Sequence, residues 1–348
     1  MKSITRLPIN NHTVRKYAIA ALTATIALSQ TAPAFAAPAL STAERAELAS
    51  VQSTSQTVWS STSPWSERQA DLRDAMWAGK SVTPGVWTKG LASRVLRSSS
   101  TPGGYNQKTY GVVGGIDFGS RSVFAENDAV IYGATLGYID SNVDFDNSAD
   151  KADYTGLVAG LYATYIRNGF YVDTSLKFNQ LEMEYTGTTF VTFTVKPDVQ
   201  TIGGQIDIGN RYDLGRNYFV EPLASLSYAE TSTDSVTAIG VGINFEDAKS
   251  LKSSVGVRFG RVLNKSEDAI VTASLTGKVW NEFMGENKTN FALGAAQSKD
   301  DFGGAYGDVG GNIEVTGMNG LSGFVSTGIK FKDNYTETGI RVGMRLNF

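Results

Sequence analysis

The chain lacks the residue types on which much covalent chemistry depends. It contains no cysteine, and its one histidine is His12. Without cysteine the protein has neither a disulfide framework nor a thiolate metal site. Beyond residue 36, no apolar run approaches the length that a membrane-spanning helix requires. These absences exclude disulfide-stapled domains, thiolate zinc sites and helical membrane proteins.

Residues 1–36 have the pattern of a secretory signal peptide. They carry four basic residues and no acidic residue, followed by an apolar run at residues 17–28 and the small-x-small motif AFA at residues 34–36. Because the run is short for the alternative, an anchor helix, we expect cleavage after the motif. Cleavage would remove His12 and leave a mature chain from Ala37 with a formal charge of −7. That charge disfavours nucleic acid as a partner.

The mature chain offers no recognisable catalytic or metal site. A nucleophilic enzyme needs a base beside its nucleophile, and the mature chain contains neither His nor Cys. No G-x-S-x-G motif is present, and the glycine-rich segment 303–311 lacks the lysine of a phosphate-binding loop. The spacing of four aspartates predicts a solvated acidic loop and not a calcium site: Asp144, Asp146, Asp150 and Asp153. We therefore expect no enzymatic activity, no cofactor and no bound metal.

What the chain does contain is strict alternation, which is clearest at its end. There the apolar residues are Ile340, Val342, Met344, Leu346 and Phe348. Arg341 and Arg345 stand between them. A period of two describes a strand with one apolar and one polar face. In a membrane barrel, the apolar face of such a strand contacts lipid and the polar face lines a hydrated lumen.

The same alternation recurs along the chain and predicts twelve strands. We place them at residues 85–97, 106–119, 128–143, 151–167, 169–186, 197–213, 216–231, 248–263, 267–284, 302–316, 320–332 and 335–348. Long polar side chains at mid-strand fit a hydrated lumen, and Val, Ile and Phe on the other face need lipid to cover them. The sequence therefore predicts an all-β protein, a twelve-stranded antiparallel transmembrane β-barrel over residues 85–348.

The connections between these strands alternate in length. Those after even-numbered strands are mostly tight, at residues 167–169, 214–216, 264–267 and 317–320. Those after odd-numbered strands are mostly long and polar, at residues 140–151, 187–197, 231–248 and 285–301, with 332–334 as a short exception. Short turns at one end and long loops at the other are typical of outer-membrane barrels.

Two segments precede the barrel. In residues 37–63, a capping box at Ser41 and Glu44 opens a weak helix. A low-complexity Ser/Thr/Gln-rich stretch follows it, and we interpret the whole segment as a linker or a vestigial exported segment. Residues 64–84 contain a mixed-charge helix from Pro64 to Gly79. Such a helix either packs on a domain or occupies a polar lumen, so we expect an N-terminal α-helix in or near the lumen.

Several segments together resemble the translocator barrel of the autotransporters, the family of type V secretion. They are GVWTKG at residues 85–90, VEPLA at 220–224, SLKSSVGVR at 250–258, WNEFMG at 280–285 and the closing segment 339–348. Their order and spacing carry the resemblance, which covers residues 65–348.

The resemblance implies a barrel in the outer membrane of a Gram-negative bacterium that exports or displays its own N-terminal segment at the cell surface. Its implied partners are outer-membrane lipid, periplasmic chaperones during transit, and the barrel-assembly machinery, for which the closing strand ending in Phe348 would be the signal. The helix 64–79 would lie in the pore with its charged residues Arg68, Asp71, Arg73 and Asp74. They would face the lumen charges Asp173, Lys177, Asp207, Arg211, Arg258, Arg341 and Arg345.

One departure from the family's pattern keeps other functions open. The mature segment 37–63 is short for an exported passenger, and it contains no solenoid repeat. The alternatives are a structural or adhesive barrel whose long loops bind a surface partner, and a small pore.

Overall fold

A computed structural model describes residues 40–62, 73, 77, 84–98, 103–146, 148–188, 190–266, 269–292, 297–317 and 320–348. The predicted signal peptide lies outside the described residues. So does the predicted helix 64–79, except for Arg73 and Trp77, which are both helical.

Twelve long strands form the body of the protein. They are β1 Gly85–Arg97, β2 Tyr105–Arg121, β3 Asp128–Phe145, β4 Lys151–Arg167, β5 Phe170–Gly187, β6 Asp198–Asn210, β7 Tyr218–Thr233, β8 Ala248–Lys265, β9 Ala269–Glu282, β10 Gly304–Gly317, β11 Leu321–Lys332 and β12 Tyr335–Asn347. The alternation in the sequence thus located every strand to within a few residues. The largest difference is in β6, which ends at Asn210 and is followed by a separate strand, Tyr212–Gly215, paired with β7.

Each strand pairs antiparallel with its neighbours in the sequence, and the last strand closes on the first. The β1–β12 register runs from Gly85 opposite Asn347 to Arg97 opposite Tyr335. On the other side of the molecule, β7 pairs with β8 from Thr231–Ala248 to Tyr218–Arg261. Closure leaves no unpaired strand edge, which is the condition for a sheet to cross a membrane. The predicted fold class, a closed twelve-stranded antiparallel barrel, is confirmed.

The two ends of the barrel differ as the sequence predicted. Tight turns connect the even-numbered strands to the next, with left-handed backbone at Asn168 (φ 54°), Arg216 (φ 50°) and Asn217 (φ 66°). We call this the short-turn end, and the opposite end the long-loop end. In the six-residue turn after β2, the Asp128 carboxylate accepts hydrogen bonds from three successive backbone N–H groups, at 2.7–2.9 Å.

Part of the long connections folds into a second sheet. The strands Val236–Ala238, Val241–Phe245, Glu286–Phe291 and Ser298–Asp301 pair in that order. We call them the loop sheet; they belong to the β7–β8 and β9–β10 connections. The sequence predicts these connections only as long and polar. The missed signal is the short alternation of Val241, Ile243 and Phe245, whose side chains are buried.

The one long helix in the described part of the chain, α1, covers Thr42–Ser61. It begins at the predicted capping box, in which the Ser41 hydroxyl accepts from the Glu44 N–H at 3.1 Å and the Glu44 carboxylate accepts from the Ser41 N–H at 2.7 Å. Interpreting residues 37–63 as a low-complexity linker was therefore incomplete, because most of this segment is a buried helix. Within the described chain, no helix combines the length and the apolar character needed to cross a membrane.

Candidate functional site

The candidate site is the barrel lumen with α1 inside it. The first turns of α1 lie at the long-loop end, where Ala46 approaches Gly103 of the β1–β2 connection. Its last turn lies deeper, where the Trp59 ring is close to Gly203 of β6. A helix of 20 residues is about 30 Å long, which matches the thickness of a bilayer core. The chain therefore enters the pore from the long-loop end.

Helix α1 is rich in Ser and Thr, and many of their hydroxyl groups donate hydrogen bonds to backbone carbonyls of the same helix. Thr54 and Ser55 both donate to the Val51 carbonyl at 2.9 Å, and Ser61 donates to the Thr57 carbonyl at 2.9 Å. These bonds to the preceding turn remove the cost of burying a hydroxyl in a tight space. This is the physical reason that a low-complexity polar segment can become a plug.

At the long-loop end, α1 contacts an acidic cluster. The Tyr185 hydroxyl lies 3.1 Å from the Glu47 carboxylate and 3.0 Å from that of Asp150. Asp150 also accepts hydrogen bonds from the backbone N–H and the hydroxyl of Thr188, at 2.8 and 2.6 Å. The prediction of a solvated acidic loop was therefore wrong at Asp150, which is buried because it joins the helix to two loops. Asp144 keeps the predicted exposure and lies 3.6 Å from Lys151.

The middle of α1 is held by tyrosine and glutamine side chains of the barrel. The Tyr154 hydroxyl donates to the Val51 carbonyl at 3.0 Å and lies 2.7 Å from the Thr54 hydroxyl. The Gln107 amide donates to the Thr54 carbonyl at 3.0 Å. All of these groups are buried, so each bond replaces a contact with water that the fold has removed.

The C-terminal end of α1 is held by Lys177 of β5. Its ammonium group donates to the Trp59 carbonyl at 2.5 Å and to the Thr62 hydroxyl at 2.7 Å. It also lies 3.8 Å from the centre of the Trp59 ring. A cation at this position complements the negative end of the helix dipole, and its bond adds to the one that the Trp59 carbonyl accepts from the Thr62 hydroxyl at 3.0 Å.

Two residues further along the chain mark its path to the short-turn end. Arg73 forms a buried ion pair with Asp173 and stacks on the Tyr171 ring at 3.6 Å. The Trp77 indole N–H donates to the carbonyl of Asn168, in the β4–β5 turn, at 2.8 Å. Strand β1 then begins at Gly85, at the same end of the barrel.

The lumen has two unlike walls. The buried apolar cluster that includes Leu48, Val51 and Val58 of α1 draws its lumen-facing strand residues from β1–β6, with Tyr335 of β12 as the exception in the described chain. We call the inner face of β1–β6 the apolar wall. The inner face of β7–β12, the polar wall, buries mainly Ser, Thr, Glu and Arg side chains, together with a few aromatic ones such as Phe219 and Trp280.

Ion pairs cross the polar wall and its borders. The Arg258 guanidinium lies 3.2 Å from Glu221, Lys278 lies 3.9 Å from Asp207, and Lys330 lies 2.9 Å from Glu337. Two adjoining cavities of about 120 and 110 Å³ border this wall and share Lys278, Asp308 and Gly310 among their lining residues. Trp59 of α1 lines the first cavity, and Arg73 lines the second. Cavities of this size and polarity hold water, so the plug leaves a hydrated gap on one side.

The loop sheet lies over the same helix. The Asn287 amide donates to the Ser53 hydroxyl at 2.8 Å, and Ser53 hydrogen-bonds to Asp300. Arg97, at the end of β1, binds both oxygens of Asp300 at 2.6 and 2.8 Å. Within the sheet, hydrogen bonding to Lys288 lowers the pKa of Glu286, and the charge of Lys299 adds to this effect.

The predicted site residues occupy the following positions. Asp173, Lys177, Asp207 and Arg258 are buried in the lumen, while Arg211, Arg341 and Arg345 are half-buried there. The apolar residues of the closing strand point outward, with 49–59% of Ile340, Val342, Met344 and Leu346 exposed. Arg73 lies beside Asp173, and Arg68, Asp71 and Asp74 lie outside the described residues. In the described part of the chain, no group of three or more His, Asp or Glu side chains is placed to hold a metal ion.

Sequence reasoning missed the groups that hold α1, among them Glu47, Tyr154 and Tyr185. The signal that pointed to this helix was its capping box. The sequence showed no corresponding signal for its burial, because α1 has no continuous apolar face and its hydroxyl groups resemble those of a linker.

This architecture defines an outer-membrane barrel occupied by its own chain. The family model "Autotransporter beta-domain" matches residues 86–331. The chain therefore belongs to the autotransporter β-domain family, and the protein is an outer-membrane protein of a Gram-negative bacterium.

Individual relatives agree with this assignment. The chain is 26% identical over 206 residues to the pertactin autotransporter of Bordetella bronchiseptica, an alignment that covers 58% of this chain and 22% of pertactin. The chain thus spans about a fifth of the length of that relative.

Solved structures show the same fold. The β-domain of the Bordetella autotransporter BrkA superposes with a TM-score of 0.64 at 21% identity, covering 76% of this chain and 100% of that one. The translocator domain of NalP from Neisseria meningitidis superposes with a TM-score of 0.60 at 16% identity, covering 86% and 99%.

Proposed function

We propose that this barrel exports its own N-terminal segment through the lumen and that α1 is the part of that segment which remains in the pore. One observation carries the proposal: the described chain passes through the lumen from the long-loop end to the short-turn end before β1 begins. In outer-membrane barrels the long loops face the outside of the cell. Whatever precedes Ser41 is therefore joined to the pore at its external end.

The contacts of α1 support a stable resident of the pore and not a transient one. Hydrogen bonds hold it at Glu47, Thr54 and Trp59, and these positions span most of its length. Export would then end when α1 reaches its partners in the lumen. The loop sheet, which contacts Ser53, closes over it.

The assembly route follows from the family and the chain's own pattern. The barrel-assembly machinery and outer-membrane lipid are the partners of the folded barrel, and we propose that residues 1–36 direct secretion and that periplasmic chaperones hold the chain in transit. We further propose that the protein performs no covalent chemistry, because residues 37–348 contain no His or Cys to activate a nucleophile.

Protease shaving of intact cells tests the direction of the chain. Epitope tags are inserted ahead of Leu40, in the 285–301 connection, and in the 122–127 turn at the short-turn end. We expect protease to remove the first two tags and to spare the third, while lysed cells lose all three. Protection of the tag ahead of Leu40, together with loss of the 285–301 tag, would contradict export and would favour a structural or loop-binding barrel.

A further inference from the structure

The outer wall of the barrel has a groove at the seam where the first and last strands meet. Its volume is about 620 Å³ and it opens toward lipid. Its lining includes Gly90, Ala92, Tyr110, Val112, Ile340 and Val342. The groove is apolar along most of its length and lies on the face that the membrane covers.

The strand register explains why the groove exists. Ala92 stands between Ile340 of β12 and Tyr110 of β2, and Gly90 stands between Val342 and Val112. Each row thus has a small residue at its centre and a large one on either side. A Cβ atom added at Gly90 would meet nothing within 4 Å. The result is that the groove runs along β1 as a trough whose bottom is the strand backbone.

Two cations lie beyond the groove toward the long-loop end. Arg94 of β1 is directly opposite Lys108 of β2, and both side chains are exposed on the outer face. Arg94 lies four residues beyond Gly90, which corresponds to about 13 Å along a strand. Like charges directly opposite each other destabilise a strand pair unless an anion lies between them.

Other outward lysines at this end are paired with carboxylates. The Lys196 ammonium lies 2.6 Å from Glu184, and that of Lys249 lies 3.7 Å from Glu230. Among the described residues, neither Arg94 nor Lys108 forms an ion pair; Arg94 donates to the Asn106 amide oxygen at 3.0 Å.

Three carboxylates share this part of the outer face: those of Asp140, Asp144 and Asp153. Asp140 lines the groove and is the register partner of Tyr110. The Asp144 carboxylate lies 3.6 Å from the Lys151 ammonium, and Asp153 accepts a hydrogen bond from the Asn142 amide at 2.7 Å, so their described partners are groups other than Arg94 and Lys108. Cations above an apolar trough complement a molecule with a negative head and a hydrocarbon tail.

We propose that the groove binds one acyl chain of a phosphorylated lipid of the outer leaflet, with the lipid phosphate between Arg94 and Lys108. The distance of about 13 Å along the strand from Arg94 to Gly90 suits a lipid whose head group lies at the membrane surface and whose acyl chain is directed into the bilayer. A bound lipid would also fill the space over Gly90 and Ala92. It would thereby support the β1–β12 pairing that closes the barrel.

Native mass spectrometry of the full, folded protein in detergent tests the site. The probe is diphosphoryl lipid A, titrated against the wild type and four variants, with phosphatidylcholine as the lipid without net charge. R94Q/K108Q removes the cations, and G90L fills the trough. Lys249→Gln and Gly277→Leu are the matched controls, because Lys249 is an outward, already paired cation and Gly277 is an outward glycine with nothing within 4 Å of an added Cβ.

We expect R94Q/K108Q to weaken lipid A binding roughly thirtyfold, since each surface cation contributes about fivefold toward an anionic lipid. We expect G90L to weaken it about tenfold or more and both controls to stay within about twofold of the wild type. Phosphatidylcholine should bind the wild type no better than it binds R94Q/K108Q. Folding of each variant is checked by heat-dependent gel mobility, and Ala92→Leu replaces G90L if that variant does not fold.

Three results would overturn the proposal. Wild-type affinity in both R94Q/K108Q and the groove-filling variant would mean that the lipid does not bind at the seam. Loss of binding in R94Q/K108Q with wild-type affinity in the groove-filling variant would mean that the head group binds without the acyl chain. Displacement of lipid A by millimolar inorganic phosphate would mean that the cations form a site for free anions.

Discussion

The two walls of the lumen show how one barrel can hold a helix firmly and still remain hydrated. The apolar wall, β1–β6, packs its side chains against Leu48, Val51 and Val58 of α1. The polar wall, β7–β12, faces the end of the helix across a cavity of about 120 Å³, and its charges form ion pairs such as that of Arg258 with Glu221. One half of the barrel sheet thus supplies most of the apolar packing that holds α1, and the other half borders the hydrated space.

The difference also separates two kinds of polar contact. On the apolar wall, polar groups such as Tyr154 and Lys177 bind the backbone or hydroxyls of α1. On the polar wall, Arg258 and Lys278 bind other barrel residues. A buried bond to the helix contributes to its retention, whereas an ion pair in a hydrated gap contributes little. Variants on the two walls should therefore behave differently.

The largest contrast should come from placing the same carboxylate on each wall. Leu181→Asp buries an unpaired charge in the apolar cluster and should lower the free energy of unfolding by about 3 kcal/mol or more. Ser227→Asp places the charge in the hydrated gap and should change it by less than about 1 kcal/mol. Denaturant unfolding measures both. In planar bilayers, Leu181→Asp should also raise single-channel conductance, because α1 loses its packing. Equal effects on the two walls would remove the distinction between them.

Loss of the cation at the end of α1 should have the next largest effect. Lys177→Met removes the charged hydrogen bond to the Trp59 carbonyl, which keeps its bond from the Thr62 hydroxyl at 3.0 Å, and should cost about 1–3 kcal/mol. Faster amide hydrogen exchange in the last turn of α1 would report the local loosening. Lys278→Met is the control, because its ion pair with Asp207 borders the gap and should be worth at most about 1 kcal/mol. A larger effect at Lys278 than at Lys177 would argue that the polar wall holds the helix.

A smaller effect is expected from a single hydroxyl on the apolar wall. Tyr154→Phe keeps the ring and removes the bond to the Val51 carbonyl, which should cost about 1 kcal/mol. A double-mutant cycle with Thr54→Val isolates the contact between the two hydroxyls, and its coupling energy should exceed about 0.5 kcal/mol. Strict additivity of the two substitutions would show that the hydroxyls do not interact.

The smallest effect should lie outside both walls, in the loop sheet. Bonding to Lys288 and the charge of Lys299 hold the pKa of Glu286 below its usual value near 4.5. Because this pKa is lowered in the folded protein, the stabilisation is complete above pH 4.5 and is lost as the pH falls through the folded value. Glu286→Gln should therefore lower the melting temperature slightly at pH 7 and not at pH 3. A greater loss at pH 3 would contradict this sign.

The sequence predicted the barrel far better than its contents. Strands such as β1 and β4 could be located to the residue because lipid on one side and water on the other impose a period of two. No such period marks α1, whose buried surface includes Ser and Thr side chains bonded to their own helix. Asp150 was likewise misassigned, since its burial depends on Tyr185 and Thr188, which lie far along the chain.

Disulfide trapping is the most direct test that α1 lies in the lumen with its N-terminus at the long-loop end. The protein has no cysteine, so any disulfide that forms must join the two introduced cysteines. Ala46 and an added Cβ at Gly103 are 3.9 Å apart, which suits a disulfide. Because φ at Gly103 is 115° and a side chain there strains the backbone, the folding of each variant is checked by heat-dependent gel mobility. We predict that Ala46→Cys/Gly103→Cys cross-links in membranes and that Ser60→Cys/Gly103→Cys does not, because residue 60 lies about 21 Å further along the helix. Cross-linking of only the second pair would show a helix of opposite direction and contradict the account.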